Sequence, residues 1–147
     1  MRVTELHAEG GLRHIAVVLD NDDEAMECLT TFARRYDIGG AQVTAIGAFA
    51  EAELAFWDPR TRQYRCHRFQ RQAEVVSMIG DIVLDEHGQA ACHLHAVLGF
   101  EDASVRGGHF QWGRVRPTLE VLVTESPKHL RCRFDPQLGL AVIGGGR

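Results

Sequence analysis

Long apolar runs are missing from this chain of 147 residues: no window approaches the roughly 18 consecutive apolar residues that a membrane-spanning helix needs. Arg2, Glu5, His7 and Glu9 stand where a secretory signal would carry its apolar core, so no membrane partner is expected and the cytoplasm is the expected location. Closely spaced cysteines are missing too. Cys28, Cys66, Cys92 and Cys132 lie far apart with no Cys-x-x-Cys pair, which excludes a zinc ribbon or a thioredoxin-type motif and predicts reduced, mostly buried thiols. An excess of positive charge is also lacking. The net charge of -4 opposes binding of a phosphate backbone by the protein as a whole, although a local basic patch stays open. There is no internal repeat, low-complexity block or linker, and the 45% apolar share is that of one globular core. We expect a single domain over residues 1–143. Residues 144–147, Gly-Gly-Gly-Arg, have almost nothing to bury and are expected to form a disordered tail.

One helix is written clearly. Asp20, Asn21 and Asp22 offer N-caps, Met26, Leu29, Phe32, Ala33 and Tyr36 recur at helical spacing, and Gly39-Gly40 ends the pattern. Its acidic start at Asp22, Asp23 and Glu24 and its basic end at Arg34 and Arg35 suit the helix dipole. Before it, Leu12 to Leu19 reads as a strand. After it only strand-like runs follow: 42–49, 51–57, 63–69, 74–84, 90–98, 117–124 and one near 138–143. Asp58-Pro59 and Glu86-His87-Gly88 supply turn chemistry between neighbours. The predicted class is α+β, a mostly antiparallel twisted sheet with one main amphipathic helix.

Alternation on a strand points residues two apart to the same face, so His93 and His95 share one surface while Cys92, Leu94 and Ala96 take the other. His109 follows the Gly107-Gly108 pair, which reads as a loop hinge able to return that side chain to the first two. Three neutral imidazoles with a fourth position open to water or ligand are the pattern of catalytic zinc, and imidazole also suits nickel, copper and iron. The plainer alternative is three strand histidines satisfied by local hydrogen bonds.

Glu120 sits between Leu119 and Val121-Leu122-Val123, where a carboxylate needs a partner. It is a candidate to steady a ligating imidazole, to move protons beside a metal as a catalytic acid or base, or to pair with an arginine of this or a neighbouring chain. The only concentrated positive charge is Arg60, Arg62, Arg65, Arg68 and Arg71, interleaved with Tyr64, His67 and Phe69. It is a candidate site for nucleic acid or another anion, or else a solvated hairpin balancing an acidic protein.

At these residues the sequence resembles a known family. The runs His93-Leu94-His95-Ala96, Arg106-Gly107-Gly108-His109-Phe110 and Thr118-Leu119-Glu120-Val121, with Ala45-Ile46-Gly47-Ala48-Phe49 and Ser77-Met78-Ile79-Gly80-Asp81-Ile82 upstream, look like the PPC domain, the plants-and-prokaryotes conserved domain. The resemblance spans about Arg13 to Thr124. It implies an α+β fold, a homotrimer, and the DNA-binding label carried by bacterial members. That label comes from plant relatives with AT-hooks, and Arg114-Val115-Arg116-Pro117 lacks the glycine of such a hook. The fold is similar to that of acetolactate decarboxylase, whose zinc is held by a His-x-His pair and a later histidine, an order that His93, His95 and His109 repeat. Two readings follow: a trimeric binding or assembly module with a metal site, zinc first among the metals, or a metalloenzyme acting on a small carbonyl or carboxylate substrate.

Overall fold

The computed structural model describes residues 1–126 and 128–144 of the chain. Two long strands organise it. β3 (Ala41–Asp58) and β7 (Val105–Glu125) run antiparallel, paired from Ala41 opposite Glu125 to Ala55 opposite His109. The 42–49 and 51–57 runs are therefore one strand, bent rather than broken. The bend falls at Gly47, where φ is 150° and an added Cβ would lie 2.3 Å from the Thr118 carbonyl, so only glycine lets β3 and β7 stay paired through it.

The remaining strands use the free edges of that pair. β5 (Ala73–Leu84) takes the first half of β3, and β4 (Gln63–Phe69) takes the second half as a hairpin. β2 (Leu12–Leu19) lies along the end of β7 and carries β1 (Arg2–Glu9) outside it. β6 (Ala90–Gly99) pairs with β5 on one edge and with the start of β7 on the other. Strands β3, β5, β6 and β7 thus close on themselves. A final hairpin, β8 (Arg131–Asp135) and β9 (Leu140–Gly144), meets β5 through one parallel pairing, Leu84 with Arg131. Gly144 ends β9, and residues 145–147 of the expected tail lie outside the described residues.

The helix α1 (Ala25–Arg35) begins one turn later than the acidic cluster suggests. Its cap is Glu24, whose carboxylate accepts from the Met26 and Glu27 backbone N–H groups at 3.1 and 2.6 Å. Asp20 and Asp23 instead hold the N-terminal ammonium at 2.9 and 3.1 Å. Leu29, Phe32 and Ala33 are buried on its inner face. They meet the inward rows of the sheet, where Val17, Val121, Val43, Met78, Leu94 and Leu98 are buried by strict alternation. The outer face of the same strands stays open. No helix among the described residues is long and apolar enough to cross a membrane. The four cysteines are free thiols. Cys66 is exposed because β4 is an outer hairpin strand, a correction to the expectation of mostly buried thiols, and the other three are half-buried.

Candidate metal centre

The open face brings the three histidines together. His93 and His95 point outward from β6, and His95 lies directly opposite His109 of β7. Ring centroids are 5.4 Å apart for His93 and His95, 5.2 Å for His93 and His109, and 5.3 Å for His95 and His109. One nitrogen from each ring falls within 4.8 Å of the others. Four-coordinate zinc with Zn–N bonds of 2.0–2.1 Å needs ligand nitrogens about 3.3 Å apart, a difference within reach of side-chain rotation.

The glycines before His109 are not a hinge. Gly107 and Gly108 lie inside β7, opposite Val97 and Ala96, and neither has a positive φ. The value of Gly108 is close approach: a Cβ there would lie 2.8 Å from the Ala55 carbonyl. β7 can therefore lie tight between β6 and β3, which delivers His109 by register instead of by a loop.

Surroundings set the protonation of the rings. Burial, with the neighbouring His93 and His95, pushes His109 down to about 4, and burial followed by His93 lowers His95. Both rings are thus neutral at neutral pH, the form that binds a metal. Tyr64 stacks on His109 at 4.9 Å, with Trp57 edge-on to Tyr64 at 5.0 Å, so the β3–β4 hairpin walls one side of the trio. Asp81 faces His93 across the β5–β6 ladder, 3.9 Å from Oδ1 to the His93 Nδ1, and burial raises its carboxyl against the lowering influence of His93 and then His95.

A donor set can be tested by its unsatisfied atoms. Among the described residues, two buried side-chain polar atoms have no hydrogen-bond partner, His109 Nδ1 and Asp81 Oδ1. Both belong to this cluster. Buried polar atoms are rarely left alone, and a cation bound by the imidazoles, with its companion hydrogen bonds, would answer both vacancies, so the residues present fit such a group.

The other candidate residues lie elsewhere. Glu120 is exposed on β7 between Val18 and Ile46, on the order of 35 Å of extended strand beyond His109, and the structure does not bring it to the histidines. The basic segment is dispersed and largely occupied. Arg65 pairs with buried Asp58, and Arg68 pairs with Glu51 at 3.1 Å and covers Trp112 at 4.8 Å. Arg71 covers Phe100 at 4.1 Å, and Arg62 donates to the carbonyls of Pro136 and Gln137 at 3.3 and 3.2 Å. Arg60 stays exposed at the turn. Asp81 is the neighbour of the site that spacing alone missed. The turn signal held it: a hairpin centred on His87 pairs residues whose numbers sum to 174, and that sum puts Asp81 against His93 and Ile79 against His95.

Residues 6–127 match the family model of the Plants and Prokaryotes Conserved (PCC) domain. The chain belongs to this family. Among solved PCC-like folds, a "putative DNA-binding protein" of Bacteroides thetaiotaomicron VPI-5482 superposes with a TM-score of 0.85 at 25% identity, over 97% of this chain and 96% of that one. A metal-containing protein of Archaeoglobus fulgidus superposes with a TM-score of 0.83 at 26% identity, over 90% of this chain and 93% of that one. A more distant likeness of fold reaches a Staphylococcus aureus protein described as similar to alpha-acetolactate decarboxylase. Its TM-score is 0.55 at 14% identity, over 76% of this PCC chain and 51% of that chain. No functionally curated protein matches the sequence.

Proposed function

We propose that this PCC domain is a self-assembling module that holds one divalent transition metal, zinc first, on His93, His95 and His109. The observation that carries the reading is the convergence of three ring nitrogens at a place where a buried His109 nitrogen has no other partner. The description of the Archaeoglobus relative as metal-containing supports it. Assembly as a trimer draws on the open face, where Ile46, Val76, Ile79 and Leu122 are 54–60% exposed and line one groove with Ala16 and Val18. Contiguous apolar surface of this kind marks a contact face. Glu120, set in that groove, is then placed to meet an arginine of another copy rather than to serve the metal. Nucleic acid is the weaker partner, because most of the arginines offered for it are occupied within the chain.

Elemental analysis with a zinc titration tests the metal. Stoichiometric zinc is expected, and zinc at about 100 times its dissociation constant adds about 2.7 kcal/mol, a rise in Tm of roughly 5–10 °C for a chain of this size. Absence of both sinks the reading. Light scattering tests assembly: three 16.4 kDa chains are expected, and Leu122→Arg should dissociate them. Retention on duplex DNA at 50 mM salt, lost steeply as salt rises, would restore the nucleic-acid partner.

A second reading, catalysis, is favoured by the exposure of His93 and His95. Three protein ligands on an open face leave the ion accessible to a small carbonyl or carboxylate compound, where it would supply Lewis acidity. His93→Ala should then abolish metal content and turnover while the assembly survives, and chelation should leave the fold intact. Unfolding on chelation would mark the ion as a structural staple instead.

A further inference from the structure

Among the described residues, Asp81 is the carboxylate set against the histidine trio. It projects from the middle of β5 on the open face, directly opposite His93. Its Oδ1 is 3.9 Å from the His93 Nδ1 and is buried with nothing to bond to. The mutually close ligand atoms are those of the three histidines and stop short of Asp81, so it is not a fourth ligand by placement. Nor can it drift away. A Cβ on the preceding Gly80 would lie 2.0 Å from the His93 carbonyl oxygen, so β5 and β6 approach there as closely as only glycine allows. The register is pinned by the short turn in which the Asp85 N–H donates to the Gln89 carbonyl at 2.9 Å.

We propose that Asp81 is the positioning residue of this centre: its carboxylate accepts a hydrogen bond from the His93 Nδ1–H, which leaves the His93 Nε2 lone pair free and aimed at the ion. The inference rests on the metal-holding reading above. An imidazole has two nitrogens and a mobile ring, and the bond made by one nitrogen decides which is free to ligate. The His93 ring is one of the two exposed ones. Its side chain is 49% exposed, whereas His109 is held under Tyr64. The gap of 3.9 Å closes to a charge-assisted hydrogen bond of about 2.8 Å by a modest rotation of either side chain. The contact also ends the isolation of a buried carboxylate oxygen, a costly state for such a group.

The test uses the full chain, with zinc competed against a chromophoric chelator for wild type, Asp81→Asn and Asp81→Ala. Asp81→Ala is expected to weaken zinc binding 10–100-fold, the range for partners of metal-ligating histidines. Asp81→Asn, which keeps a neutral acceptor of the same shape, should fall between the two. Long-range proton–nitrogen NMR on the zinc-loaded protein should show His93 as a single Nδ1–H tautomer in wild type and lose that uniqueness in Asp81→Ala. The metal-free variants should melt no lower than metal-free wild type. A merely structural role predicts the reverse, a lower Tm of the metal-free protein with unchanged tautomer. Equal zinc affinity in wild type and Asp81→Ala overturns the proposal alone, since the site itself would still bind. Failure of wild type to take up zinc overturns both the proposal and the reading beneath it.

Discussion

Gly80→Ala is the sharpest test of how the sheet builds the histidine centre. The added methyl would lie 2.0 Å from the His93 carbonyl oxygen and 2.9 Å from the Leu94 Cα, both backbone atoms with no rotamer by which to escape. Carbon–oxygen contact is tolerated from about 3.3 Å, so β5 and β6 must part by about 1 Å around the Gly80–Leu94 pair. Overpacking of that kind costs about 1–3 kcal/mol, and each ladder bond stretched beyond use adds about 1 kcal/mol. A loss of about 2–4 kcal/mol is expected in total, equivalent to a Tm lower by roughly 5–15 °C. His93 and His95 ride on the displaced strand, and a ligand constellation must be held within about 0.5 Å, so zinc affinity should fall about tenfold or more. Circular dichroism on heating and a zinc competition titration measure the two effects. A Tm within about 2 °C of wild type together with unchanged zinc affinity would refute the claim that close strand approach sets the site.

Three other perturbations probe the frame around it. Leu94→Ala removes a fully buried side chain from the inner face of β6 and should cost about 2–5 kcal/mol in denaturant titration, while zinc binding on the opposite face persists below the transition. Arg13→Met strips the two-pronged partner from Glu125, whose side chain is only 11% exposed, and also cuts the bond from Arg13 to the Tyr36 carbonyl at the end of α1. A loss of about 2–4 kcal/mol is expected, and Arg13→Met with Glu125→Leu should recover most of it by urea unfolding. Asp58 is held below the usual carboxylate range by the Arg60 backbone N–H and then by Arg65. A lowered folded-state pKa means that its contribution is present above the ordinary Asp range and fades as pH falls through it. Asp58→Asn should therefore melt below wild type at pH 7, with the difference shrinking between pH 4 and pH 2; a difference that stays constant to pH 2 contradicts this assignment.

The parts of this fold legible from sequence were those governed by periodicity. Leu29, Phe32 and Ala33 repeat at helical spacing, and the outward pair His93 and His95 follows from strand alternation alone. What escaped was set by partners rather than by local pattern. The runs 42–49 and 51–57 look like two strands and are instead one, because β7 continues to pair on both sides of Ala50 with only a register shift between Phe49 and Glu51. Gly107 and Gly108 look like a hinge, but both lie inside β7, and the missing side chain of Gly108 serves close packing against Ala55. β1 and β8 went unread because strands with no buried position carry little apolar alternation. For Glu120, apolar neighbours in sequence suggested a buried carboxylate, yet on a strand Leu119, Val121 and Val123 face the other way, into the core.

The closed circuit of β3, β5, β6 and β7 has a consequence for exchange and for time. A strand with a neighbour on each side has no free edge from which to fray, so the β6 amides from His95 to Gly99 should open only with the whole domain and exchange with deuterium among the slowest in the molecule. The imidazoles of His95 and His109 are therefore fixed to backbone that does not wait for an ion in order to form. An ion bound there would leave little ordering to be done, and its loss would leave the cradle standing, so capture and release would be far faster than unfolding.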